Sequence, residues 1–115
     1  MENYLQTNKY HVHVYYELHQ MEIAGEVREK LMRDIPEIDG VGPIRQRAVG
    51  PHPIPMFEAW FSFRYLNKVI EWMKQNNQGL AIMFHPLSGN DLEDHKTHSW
   101  WIEKELPLRL EVFEQ

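Results

Sequence analysis

The chain has 115 residues, 43% of them hydrophobic, with a formal net charge of -5, seven histidines and no cysteine. That is enough material for one domain with a real core, and it excludes disulfides, thiolate catalysis and cysteine-held zinc, so any metal must be held by nitrogen and oxygen. The acidic balance argues against nucleic acid, no apolar run is long enough for a membrane, and Met1-Glu2-Asn3-Tyr4-Leu5-Gln6 lacks a charged-then-apolar leader, which points to a cytoplasmic protein.

The first element, about 9–16, contains Tyr10-His11-Val12-His13-Val14-Tyr15-Tyr16 and reads as a strand by its alternation and its β-branched and aromatic content. Residues two apart share a face of a strand, so His11 and His13 project together, opposite Val12 and Val14. A helix is expected over about 20–34, with Ala24, Val27, Leu31 and Ile35 near the 3.6 period and Pro36 as its stop. Asp39-Gly40 and Gly42-Pro43 mark a loop, and Ile44 to Val49 reads as a second strand, with Arg45 and Arg47 alternating with Ile44 and Ala48. Gly50-Pro51-His52-Pro53-Ile54-Pro55 is a stiff turn. The third strand, Met56 to Phe63, puts Phe57, Ala59, Phe61 and Phe63 on one side, and Glu58, Trp60 and Ser62 on the other. A second helix, about 66–77, carries Leu66, Val69, Ile70 and Met73 on one stripe and ends at Asn77 and Gly79. Leu80 to His85 is a fourth strand. A short helix capped by Ser88 and Asp91 follows, and Leu108 to Val112 reads as a short edge strand.

The order βαββαβ is the ferredoxin-like α+β pattern, taken as a single domain over 1–115. Right-handed crossovers put strand 1 between strands 3 and 4, antiparallel to both, with both helices on one sheet face. The start of strand 1 then meets the end of strand 4. Parity agrees, so His11, His13 and His85 share the open face near one end, with Glu58 and Trp60 on the same face. Three nitrogens, or two nitrogens and a carboxylate, form a site with open positions; the arrangement with a carboxylate suits non-haem iron(II) and its oxygen chemistry. His95 and His98 follow in the next segment and can fold back over that site. A His-x-His on a strand is often only a polar solvent face; the joint placement of the three imidazoles favours a metal or catalytic cluster.

His52 is less determined. Its loop lies at the far end of strand 1 from His85, so it is a turn residue or serves a neighbouring subunit. His19, beside the helix start, reads as surface. Trp60 shares the histidine face, where a planar aromatic substrate would stack. Arg45 and Arg47 read as an exposed strand face or, more sharply, as a fork for a substrate carboxylate. An open face bearing Trp60 and Met83 wants cover, so a homodimer is expected.

The motifs Tyr10 to Tyr16, Val49-Gly50-Pro51-His52-Pro53-Ile54-Pro55-Met56-Phe57, Gly79-Leu80, His85-Pro86-Leu87-Ser88-Gly89-Asn90-Asp91-Leu92, and Asp94-His95 with His98 before Trp101 resemble the DOPA 4,5-dioxygenase family of the fungal pigment type. The resemblance runs from about 9 to 110 in the right order. It implies extradiol cleavage of catechols such as DOPA with O2 and non-haem iron(II), giving a semialdehyde. On that expectation His11, His13 and His85 are the leading ligands, Glu58 a substitute ligand or substrate contact, and His52, His98 and His95 the acid/base or substrate-orienting groups. Iron is preferred over zinc on the strength of the resemblance, although zinc is compatible with the same nitrogens. The rival readings are a non-enzymatic dimeric binding module with adventitious metal, and a metal-dependent enzyme acting on another aromatic.

Overall fold

A computed structural model describes residues 7–113; the expectation drawn from the opening segment lies outside them. The sheet has five strands: β1 (Lys9–Tyr15), β2 (Gly40–Val41), β3 (Met56–Ser62), β4 (Ala81–Pro86) and β5 (Trp100–Ile102). Their spatial order is β2-β3-β1-β4-β5. β1 is central and antiparallel to both β3 and β4, as a ferredoxin-like fold requires, and β5 extends the sheet beyond β4. Two helices, α1 (Met21–Asp34) and α2 (Leu66–Asn76), pack on one face, and a third, α3 (Asp91–His95), lies between β4 and β5 in the chain. None of these helices is long and apolar enough to cross a membrane.

Parity divides the sheet. Val12, Val14, Phe57, Ala59, Phe61, Ile82 and Phe84 point to the helix side and are fully buried with Ala24, Val27, Leu31, Leu66, Val69 and Met73. Burying each of the larger side chains contributes about 1.5–3 kcal/mol. The helices are placed by local signals. Glu17 and Gln20 form a reciprocal capping box ahead of α1. Ile35 closes α1 with a bond from its N–H to the Leu31 carbonyl, and Pro36 cannot continue the ladder. Past α2, the Asn77 side chain donates to the Met73 carbonyl and accepts from the Gly79 N–H. Gly79 turns the chain into β4 at a φ of +83°, where a side chain would be strained.

Two strands differ from expectation. Residues 44–49 form no strand, and the pairing with β3 lies earlier, at Gly40 opposite Trp60 and Val41 opposite Ala59. The reason is steric. A Cβ on Gly40 would stand 2.2 Å from the Trp60 indole, and one on Gly42 would stand 2.8 Å from the Glu58 carboxylate. Only a glycine-bearing segment can run beside those two side chains. Downstream, the backbone N–H and carbonyl of Arg45 are both taken by the Tyr16 hydroxyl, at 2.7 and 2.8 Å, instead of by a strand partner. Leu108 to Val112 is also not a strand; Leu110–Phe113 is a 3-10 turn, and the edge strand is β5. Trp100 faces the helices there, stacked on Phe84 at 5.4 Å, while Trp101 faces the other side and stacks on Tyr15.

The second face is not fully open. Tyr15, Met56, Ala81 and Met83 are buried on it beneath Val49, Ile54, Trp101, Leu106 and Leu108, so the chain itself covers Met83. Trp60, 36% exposed, stays at the uncovered end.

Candidate metal centre

The centre is assembled from four parts of the chain. β1 supplies His11 and His13, and β4 supplies His85 directly opposite His11. The turn before β3 supplies His52, and the last residue of α3 supplies His95. One donor atom each of His11, His13 and His85 lie within 4.8 Å of one another, and the same holds for His13, His52 and His95. His13 is common to both groups. His13, His52 and His85 are buried, and His11 and His95 are partly so.

Hydrogen bonds orient the rings. His85 Nδ1 lies 2.8 Å from the Pro86 carbonyl and His95 Nδ1 lies 2.8 Å from the Asp91 carbonyl. A carbonyl can only accept, so both rings carry their proton on Nδ1 and keep a lone pair on Nε2. His13 Nε2 lies 2.9 Å from His85 Nε2, and His13 Nδ1 faces the Met56 thioether at 3.4 Å. Two nitrogens each about 2.1 Å from one ion, at right angles, stand about 3 Å apart, so the His13–His85 spacing fits a shared cation. The proton now between them can move to the Met56 side when a metal binds.

The electrostatics favour neutral rings. Burial, reinforced by neighbouring imidazoles, pushes His13 well below the usual histidine range. The same two causes push His52 down to about 4 and His85 down to about 3. Burial also lowers His11, against an opposing pull from Glu58. Neutral imidazoles are what a metal needs. The donor set therefore fits a divalent ion held by nitrogen.

Beside the imidazoles stand an indole and an ion pair. Trp60 lies 6.2 Å from the His11 ring, over Gly40. Glu58 is opposite His13 and is gripped through both oxygens by Arg45. Burial works to raise its pKa, but the Arg45 hydrogen bonds and charge outweigh that and hold the carboxylate below its usual range.

His11, His13 and His85 therefore meet as strand parity requires, and His95 joins them. His52 does so within its own chain, contrary to its assignment to the far end of strand 1 or to a neighbour. Its turn folds back, tied by the His52 N–H to the Val49 carbonyl and by the Arg109 N–H to the Pro51 carbonyl, which brings the ring within 4.5 Å of His13. His98 stands in neither group; its Nδ1 lies on the Asp94 carboxylate at 3.2 Å. The Arg45 fork is engaged by Glu58, while Arg47 is exposed. Sequence reasoning passes over two residues. Tyr15 shares the parity of His11 and His13, and its hydroxyl lies 2.7 Å from His52 Nδ1. Asp94, 1% exposed, accepts from the Ser88 N–H and hydroxyl and so pins the segment that carries His95. The spacing of Ser88 and Asp94 gives no period to notice. The cap of α3 is Asn90, which accepts from the Glu93 N–H, in place of Ser88 or Asp91.

The chain is similar to known proteins over most of its length. The Dopa 4,5-dioxygenase family matches residues 10–112. The DOPA 4,5-dioxygenase of Amanita muscaria is 27% identical over 109 residues, covering 89% of this chain and 48% of that protein. An uncharacterized 21.2 kDa protein of Botryotinia fuckeliana is 28% identical over 112 residues, covering 88% of this chain and 61% of that one. The chain thus spans about half to three fifths of the length of these curated relatives. A crystal structure of a candidate dioxygenase of Nostoc punctiforme superposes with a TM-score of 0.91 at 31% identity, over 99% of this chain and 97% of that one. With a match running from β1 to the last turn, the chain belongs to the Dopa 4,5-dioxygenase family.

Proposed function

We propose that this protein is an extradiol ring-cleaving dioxygenase acting on DOPA or a related catechol with O2, using non-haem iron(II) held by His11, His13 and His85. The observation that carries the reading is the convergence of those three imidazoles on one sheet face. Three neutral nitrogens leave coordination positions for substrate and suit iron(II) or zinc, so zinc in a purified sample would not contradict it. Iron(II), when bound, supplies neighbouring open positions at which the catechol oxygens and O2 meet.

The remaining work falls to the chain. Trp60 offers a flat partner for the catechol ring, and the short distance to His11 sets that ring beside the ligands. His95 keeps a lone pair on Nε2 and takes a catechol proton, returning it after the ring opens. His52 faces the same space from the opposite turn and orients a substrate oxygen. The ring bond beside the two hydroxyl-bearing carbons breaks, and both oxygen atoms of O2 enter the product, which carries one aldehyde and one carboxylate. No external reductant is consumed.

The test is anaerobic loading with iron(II), followed by oxygen uptake with DOPA and simpler catechols. The expected result is uptake with a yellow semialdehyde. Bound iron without uptake on any catechol would overturn the reading and leave a metal-binding protein with another task.

A further inference from the structure

We propose that Tyr15 is a positioning residue: its hydroxyl fixes His52 as a neutral hydrogen-bond donor toward the histidine cluster, so that His52 binds a substrate oxygen and is neither a metal ligand nor the base. The use of that donor rests on the dioxygenase reading; the tautomer does not.

Tyr15 stands on the histidine face of β1, two residues beyond His13, and is 1% exposed. Its ring is held by stacking on Trp101 at 5.4 Å. Among the described residues, its hydroxyl has one hydrogen-bond partner, His52 Nδ1 at 2.7 Å. That bond can run in two directions. If the imidazole donates, the hydroxyl hydrogen is left buried without an acceptor, an arrangement native proteins avoid. If the hydroxyl donates, its hydrogen and the Nδ1 lone pair are both satisfied, and the His52 proton must sit on Nε2, the nitrogen that faces the cluster.

His52 then differs from its neighbours in kind. The partners of His85 and His95 are carbonyls, which only accept and so place the ring proton on Nδ1. His52 has a hydroxyl partner and the opposite tautomer. With Nδ1 taken by Tyr15, Nε2 is the nitrogen left to approach His13 and His95, whose rings lie 4.5 and 5.8 Å away. An N–H directed into the cluster is placed to meet negative charge developing on a substrate oxygen, which is where a fixed donor accelerates a reaction most.

The test uses metal-free full-length protein with nitrogen-15-labelled histidine, read by long-range proton–nitrogen correlation. His52, assigned by the signals lost in His52→Gln, is expected as the Nε2–H tautomer. Tyr15→Phe, which keeps the ring and its stacking, is expected to shift that population toward the other tautomer. A wild-type His52 protonated on Nδ1, or a pattern unchanged in Tyr15→Phe, would overturn the proposal. So would loss of bound iron(II) in His52→Gln, since that would make His52 a ligand. In the loaded enzyme, Tyr15→Phe is expected to lower kcat about tenfold or more with metal content unchanged. These tautomer and metal readings need no turnover, so inactivity toward every catechol would sink the reaction while leaving the Tyr15–His52 result to stand by itself.

Discussion

The two faces of the sheet are built from the same strands, one residue out of phase. On the helix side, Val12, Val14, Phe57, Phe61, Ile82 and Phe84 are buried without a polar atom among their side chains. On the other side the alternate positions carry His11, His13, Glu58, Trp60 and His85. The first face is satisfied by packing alone. The second buries imidazoles against one another, and its carboxylate, Glu58, is already held by Arg45, a poor arrangement for stability and a good one for binding a cation. The difference teaches that the fold rests on one face and the chemistry on the other. Substitutions should therefore separate the two properties cleanly.

The largest effect is expected at His13, the residue common to both groups of donors. His13→Ala should lose bound metal altogether while keeping its secondary structure, checked by metal analysis beside circular dichroism. Phe84→Ala, one residue before His85 but facing the helices, should do the reverse. It should cost about 3–5 kcal/mol in urea unfolding and leave metal stoichiometry unchanged in whatever fraction is folded.

Acid comes next. His52 and His85 have folded-state pKa values pushed down by burial to about 4 and about 3, while the unfolded value is near 6.5. The unfolded chain therefore binds more protons between those limits. The stability from keeping these rings neutral is present above pH 6.5 and is lost as pH falls toward 4 and then 3. The slope should reach about 1.4 kcal/mol per pH unit for each ring, seen as a falling urea midpoint of metal-free protein. A midpoint flat from pH 7 to 5 would mean that the rings take up protons equally in the folded and the unfolded chain. Gly40→Ala should be milder still. Its Cβ would meet the Trp60 indole, displacing the platform at a cost of about 1–3 kcal/mol and raising KM for catechol more than it lowers kcat. Exposed His19 is the control, with His19→Ala within about 0.5 kcal/mol of wild type and full in metal.

Much of this division is legible in the sequence because strand parity is a strict period. Alternation alone assigns His11, His13 and His85 to one face, and the crossover rule brings β4 beside the start of β1. The turn carrying His52 is not legible in that way. Its path depends on the Pro51 carbonyl being held by Arg109, 58 residues later, a contact without local signal. The same is true of Asp94, whose value lies in the loop it ties through Ser88. The second strand is misplaced from sequence because alternation at Ile44 to Ala48 imitates a strand, while the true pairing is chosen by the absence of side chains at Gly40 and Gly42. Trp100-Trp101-Ile102 carries aromatic and β-branched content, but three residues are too short for a period to stand out.

The central claim is that the ion sits with His11, His13 and His85 and that His52 is left free of it. Cobalt(II) titration of metal-free protein, followed by its visible absorption, tests this most directly in wild type, His85→Ala and His52→Gln. The expected result is one ion per chain in wild type and in His52→Gln, with affinity in His85→Ala weaker by more than about 100-fold. Wild-type binding by His85→Ala together with its loss in His52→Gln would contradict the assignment and move the ion to the His13, His52 and His95 group.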